Sequence, residues 1–288
     1  MSLSSAFPDD LPWVGQQAFL LLDGATVNDL AAQVKHHSPA ASTFALYDQP
    51  PLSALRDVSP LLVAIAQADD PLARFFLQHA QEEWGVLLFS AAPMHAVAEH
   101  LRKLLIVELP AGQSALLRLA DAAVAHALFA SADQRLFGPL TGVVAADCVN
   151  DVWHSHRPRL AECPTLAVPY RLDPELNAAL DQADRRRRLL ELDVHLLKHF
   201  RAFHVGETLG QRWPSLDLVE TQASALGLSS PFDLFNYANL LALLDSHDIV
   251  QHPPIHHLLH TPSLQSPSER VTLAVDMAQR WASQRERP

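Results

Sequence analysis

The chain has 288 residues, 49% of them hydrophobic, and a formal charge of -11. That length and composition suit one large globular domain or two modest ones and exclude a disordered chain. The acidic balance argues against nucleic acid and anionic membrane surfaces as partners, because both reward lysine and arginine. Cys148 and Cys163 cannot build a disulfide framework or a four-sulfur zinc site. One bridge between them is open, with reduced thiols the expected state. The N-terminal "MSLSSAFPDDLPW" has no basic n-region, and the apolar "AFLLL" ending at Asp23 is too short for a signal segment or a span. A cytoplasmic protein is expected.

Along the first half, "QQAFLLLDG" (16–24) reads as a strand closed by a turn, and "TVNDLAAQVKHH" (26–37) as a helix with Thr26 as its cap. "STFALYD" (42–48) and "PLLVAIA" (60–66) are the next strands. "DDPLARFFLQHAQ" (69–81) has Asp69 or Asp70 as cap and Pro71 at the first helical position. "WGVLLFS" (84–90) is a strand with no polar face, which predicts cover on both sides. A helix follows from about Pro93 to Leu104, then two strands joined at "PAGQ" within 104–120, a helix over 121–131, and a turn at Gly138-Pro139 before a last strand.

The stretch 154–175 has four prolines and no sustained period, the signature of a connector. Beyond it the pattern is helical: 174–203 as one long helix or two, 216–228 ending at Gly227, 229–247 with Pro231 just inside, and 266–284 capped by Ser266 or Ser268. The expected fold class is α+β, with a mixed α/β lobe around a central sheet over 1–150, a proline-rich connector over 151–173 and an all-helical lobe over 174–288.

His95, Glu99, His100, Arg102 and Lys103 lie close together on one helix. Met94, Val97, Ala98, Leu101, Leu104 and Leu105 form its apolar stripe, which puts His95, Glu99, Arg102 and Lys103 on the opposite side and His100 at the boundary. Groups that fan out along a helix face do not converge on one reacting atom. The spacing predicts a solvated face with no catalytic role.

The succession of motifs resembles a family of bacterial type VI secretion proteins, the adaptors or chaperones catalogued as a domain of unknown function and encoded beside spike and toxin genes. The elements that carry the resemblance are Leu61 to Ala64, Pro71 to Leu77, Trp84-Gly85 with Ser90, His100-Leu101-Arg102 with Val107 and Gly112, Arg118, and Phe137-Gly138-Pro139. It covers residues 18–150 well and 215–247 loosely. One departure is that "RLADAAV" keeps Arg118 and Asp121 but lacks the aromatic-Asp-Pro step usual in the family. The resemblance implies a non-enzymatic protein of a Gram-negative bacterium that binds a secreted toxin effector and promotes its loading onto the C-terminal region of the VgrG spike. On that reading no catalytic, cofactor or metal residue is assigned.

Other chemistry competes with this reading. Among sixteen histidines the densest patch is His247, His252, His256, His257 and His260, the centre of an alternative reading as a metal-dependent enzyme. No H-E-x-x-H pattern supports it, and Pro253-Pro254 predicts an irregular loop before any helix. His154 and His156 share a face only if extended, with Cys163 as the sole soft ligand nearby in sequence. No nucleophile elbow or phosphate-binding glycine loop occurs, and "RRRR" (185–188) reads as a salt-bridged face. "PFDLFNYANLLALL" (231–244) is apolar nearly all round, so it is either buried or partly exposed as a docking surface. The partner-binding residues expected are Phe232, Phe235, Tyr237, Arg118 and Asp121. A third reading is an interaction module with unrelated partners.

Overall fold

The computed structural model describes residues 3 and 6–285. The fold is α+β, and the chain divides into two compact units, 1–184 and 185–288. The division falls inside a helix and not in the proline-rich stretch before it.

The first unit is built on a six-stranded antiparallel sheet. Its strands are β1 (Gln17–Leu22), β2 (Thr43–Ala45), β3 (Leu61–Ile65), β4 (Gly85–Ser90), β7 (Leu140–Asp147) and β8 (Val152–His156), in the order β2-β3-β1-β4-β7-β8. Every residue of β4 is buried, as expected for a strand without a polar face. Alternation decides which layer each side chain joins. Phe19, Leu21, Val86, Leu88, Val143 and Ala145 pack on one face with residues of α3 (Met94–Leu105) and α4 (Ala122–Ala130). Leu20, Leu22, Leu87, Phe89 and Val144 pack on the other with α1 (Leu30–His37) and α2 (Pro71–Gln78). Helices therefore cover both faces of an antiparallel sheet. Gly85 sits directly opposite Leu22, and a Cβ there would lie 2.2 Å from the Leu21 carbonyl oxygen, so the Trp84-Gly85 step admits no side chain at the second position.

A second, smaller sheet joins β5 (Ile106–Glu108) antiparallel to β6 (Ser114–Leu116) and parallel to β9 (Tyr170–Arg171). The stretch read as a connector thus supplies β8 to the large sheet and β9 to the small one. Two local starts also differ from the sequence reading. Asp29, in a left-handed conformation, precedes α1, while Thr26 bonds to Asp23. Helix α8 (Pro253–His260) begins on the double proline itself, with no irregular loop there, since proline's fixed φ suits the first helical turn.

Helix α5 (Pro174–His199) is continuous and crosses the division. The second unit contains its C-terminal part with α6 (Leu209–Ala225), α7 (Pro231–Leu244), α8 and α9 (Pro267–Arg285). Thr208 and Gln211 form a reciprocal cap on α6, as Ser230 and Asp233 do on α7. Leu192, Leu196, Leu216, Val219, Tyr237, Leu241, Ile255, Val271 and Ala274 make its core. Among the described residues no helix is long and apolar enough to cross a membrane.

Candidate functional site

The motif residues of the first unit meet in space and hold its layers together. His100 is only 6% exposed, and its Nε2 donates to the Leu136 carbonyl at 2.7 Å. Gly138, at φ 50°, lies so close that an added Cβ would come within 2.3 Å of the imidazole. Ser90 Oγ donates to the Pro139 carbonyl at 2.7 Å and accepts from the Ala92 amide. Arg102 donates to the Leu46 and Ala45 carbonyls and lies over the Phe44 ring. The face predicted to be solvated is therefore solvated only in part: Glu99 and Lys103 are exposed, while His100 and Arg102 tie α3 to segments far away in sequence. Burial lowers the His100 pKa and outweighs the opposing effect of the Leu136 bond, so the ring stays neutral.

Arg118 Nη2 donates to Asp23 Oδ2 at 2.5 Å and to Thr26 Oγ1 at 3.3 Å. Asp23 is buried and also accepts from the Ala25 amide and the Thr26 hydroxyl. Burial works against the Arg118 charge, and the Asp23 carboxylate outweighs it and holds the guanidinium pKa up. Asp121 caps α4 by accepting from the Ala123 and Val124 amides. Nothing in the sequence singled out Asp23, the buried partner that gives Arg118 its place.

The other three expected residues lie on α7 in the second unit. Phe232 is 66% exposed. Phe235 is half-buried, with its ring 5.1 Å from that of His195. Tyr237 is interior, its hydroxyl donating to Gln222 Oε1 at 3.2 Å. Elsewhere in the second unit Asp193 is buried between Arg212, which donates twice at 2.7 Å, and His204, also at 2.7 Å. Burial alone would raise the Asp193 pKa, but the bonds from Arg212 and His204 reverse it and keep the carboxylate charged.

The histidines of 247–260 do not share a centre. His247 stacks on Phe203, His252 faces Trp281, and His256 stacks on His260 with centroids 4.1 Å apart. Among the described residues no group of three or more His, Cys, Asp or Glu is arranged to hold a metal ion. The closest gathering of imidazoles is in the first unit, where His126 of α4 meets His154 and His156 of β8. There the His156 pKa is pushed down to about 4, by burial first and then by its two neighbours. Sequence spacing could pair His154 with His156 but gave no hint of His126.

Residues 18–136 match the family model described as a domain of unknown function, DUF4123. Over that stretch the chain is similar to DUF4123 domains. The stretch contains β1 through α4 and, with them, Asp23, Ser90, His100, Arg102 and Arg118. Most of the chain is also similar to the accessory protein VasW of Vibrio cholerae serotype O1, at 28% identity over 277 residues, 91% of this chain and 88% of that one. No solved structure matches. Both findings support the type VI secretion adaptor family recognised from the motifs. The motif residues have a structural explanation here, because each polar one described above is spent on a bond within the first unit.

Proposed function

We propose that the chain is a non-enzymatic adaptor of a type VI secretion system. It binds a toxin effector in the cytoplasm of the producing cell and promotes loading of that effector onto the C-terminal region of the VgrG spike. The observation that carries this reading is that similarity to a protein named as an accessory factor runs through 91% of the chain, well beyond the DUF4123 domain. A chaperone of this kind needs an apolar contact that can be offered to a client and withdrawn later, so moderate affinity suits it better than a permanent interface. Phe232 supplies such a contact, standing out from a helix whose other large apolar side chains are mostly buried, with Phe235 beside it and Tyr237 fixing the helix from within. Arg118 and Asp121 serve the same end in the first unit by holding the α4 corner in shape.

The test is Phe232→Asp in the full chain, co-expressed with a type VI toxin effector and a VgrG spike of the same bacterium. Capture of the toxin should fall by about tenfold or more, as for an anchor residue, while the far-UV spectrum and melting temperature stay near wild type. Unchanged capture by the folded variant would remove Phe232 from the docking surface, and aggregation would show that α7 serves the fold and does not dock the client.

A further inference from the structure

The first unit brings three imidazoles together at one edge of its large sheet. His154 and His156 alternate by two on the edge strand β8, opposite Ala145 and Val143 of β7, so both project from the same face. Helix α4 packs over that face and brings in His126, whose Nδ1 lies 3.1 Å from His156 Nε2. The His154 ring lies 3.9 Å from that of His126, and its Nε2 donates to Asp147 Oδ2 at 3.2 Å. All three rings are half-buried, so protons reach them from solvent. The charged groups of the surrounding elements are engaged elsewhere or with His154. Strand β7 supplies Asp147, and Glu83 bonds the Cys148 amide just beyond that strand. Asp121 caps α4, Asp133 pairs with Arg135 after it, and Arg157 pairs with Asp10 after β8. Strand β4, which also touches α4, contributes the uncharged run from Gly85 to Ser90.

We propose that His126, His154 and His156 form an acid-sensitive latch, which holds α4 on the edge strand β8 and releases it when the His126–His156 pair is made to take a second proton. Between these two rings one nitrogen donates and the other accepts, so the pair can hold one added proton as an imidazolium donating to an imidazole. A second proton sets N–H against N–H and puts two like charges in contact. His154, anchored to Asp147 and lying on the His126 ring, keeps that ring from turning away. Burial first, and then His126 and His154, push the His156 pKa from 6.5 down to about 4. Lifting α4 returns His156 to water and to its ordinary 6.5, so the open form takes the proton first as the solution is acidified. The latch is therefore at full strength above 6.5, weakens as the pH falls from there towards 4, and loses no more below. The proposal does not rest on the adaptor reading, because the whole device lies within the first unit.

The experiment measures hydrogen exchange of the full chain at about pH 7.5 and about pH 5, with rates corrected for the intrinsic effect of pH on exchange. One extra proton in the open form should make opening of 122–130 and 152–156 about thirtyfold more frequent at the lower pH. His156→Phe keeps a ring and removes the proton site, so it should abolish that rise, whereas His100→Gln should keep it. Equal protection of these segments at the two pH values, or the same rise in His156→Phe, overturns the latch. Should His156→Phe fail to fold, the ring nitrogen signals of the wild-type chain decide the matter. A His156 ring still neutral at about pH 5, together with the rise in exchange, supports the latch. A ring that titrates near its ordinary value while α4 stays protected contradicts it.

Discussion

Gly138 has no side chain because the His100 ring occupies the space where one would stand. Gly138→Ala must push the imidazole aside and adopt a positive φ, which together should cost about 3 kcal/mol, measured as a shift in the urea midpoint at unchanged slope. His100 also makes stability depend on pH. Its folded pKa lies below the ordinary 6.5, so the unfolded chain takes up a proton first as the solution is acidified. The contribution is therefore complete above 6.5 and declines as the pH falls from there towards the folded value. His100→Gln should flatten that part of the stability-pH curve relative to wild type, and an identical curve would place the dependence elsewhere. A helical wheel puts His100 at the edge of the apolar stripe and can say no more. What buries it is a carbonyl 36 positions on, and no local period carries that information. Arg118 was legible as a motif residue for the same reason that its role was not: the motif is local, and Asp23 is 95 residues away.

At the scale of elements, hydrophobic pattern located β1, β3, β4, α2, α3, α4 and α7 closely, because each carries a clear apolar run or stripe and most have a cap or turn signal. β8 and β9 were hidden. β8 lies at the edge of its sheet, with histidines alternating along a half-buried face, and β9 is two residues long between prolines and helix α5. Their pairing comes from the sheets they join and not from their own composition. Helix α5 and helix α6 are joined by the Asp193–Arg212 pair, which is buried and bidentate. Arg212→Ala would leave the Asp193 carboxylate buried with only His204 beside it. The expected loss is about 3–5 kcal/mol, seen in denaturant unfolding followed by a helix signal. A loss below about 1 kcal/mol would mean that water reaches Asp193 and that the pair does not organise the second unit.

For the whole molecule, the DUF4123 domain and the helical unit offer different things. In the domain the motif residues named above bond within the first unit, so they account for its shape. The helical unit lies outside the family match and exposes Phe232 on a helix that otherwise serves the core. Motif order made the family resemblance legible in the sequence, while the apolar pattern of 231–244 left open which of its side chains are exposed. Motifs report the bonds that make the domain, whereas exposure depends on which neighbour covers a given side chain.

The most direct measurement is affinity purification of the full chain from cells that also express a VgrG spike and a toxin effector of the same bacterium, followed by quantification of what remains bound. The adaptor account predicts a stoichiometric toxin, recovered with the spike when both are present, and no chemical change in either. A chain that returns alone from such cells, or one that converts the toxin or any small molecule with a measurable turnover, would contradict it.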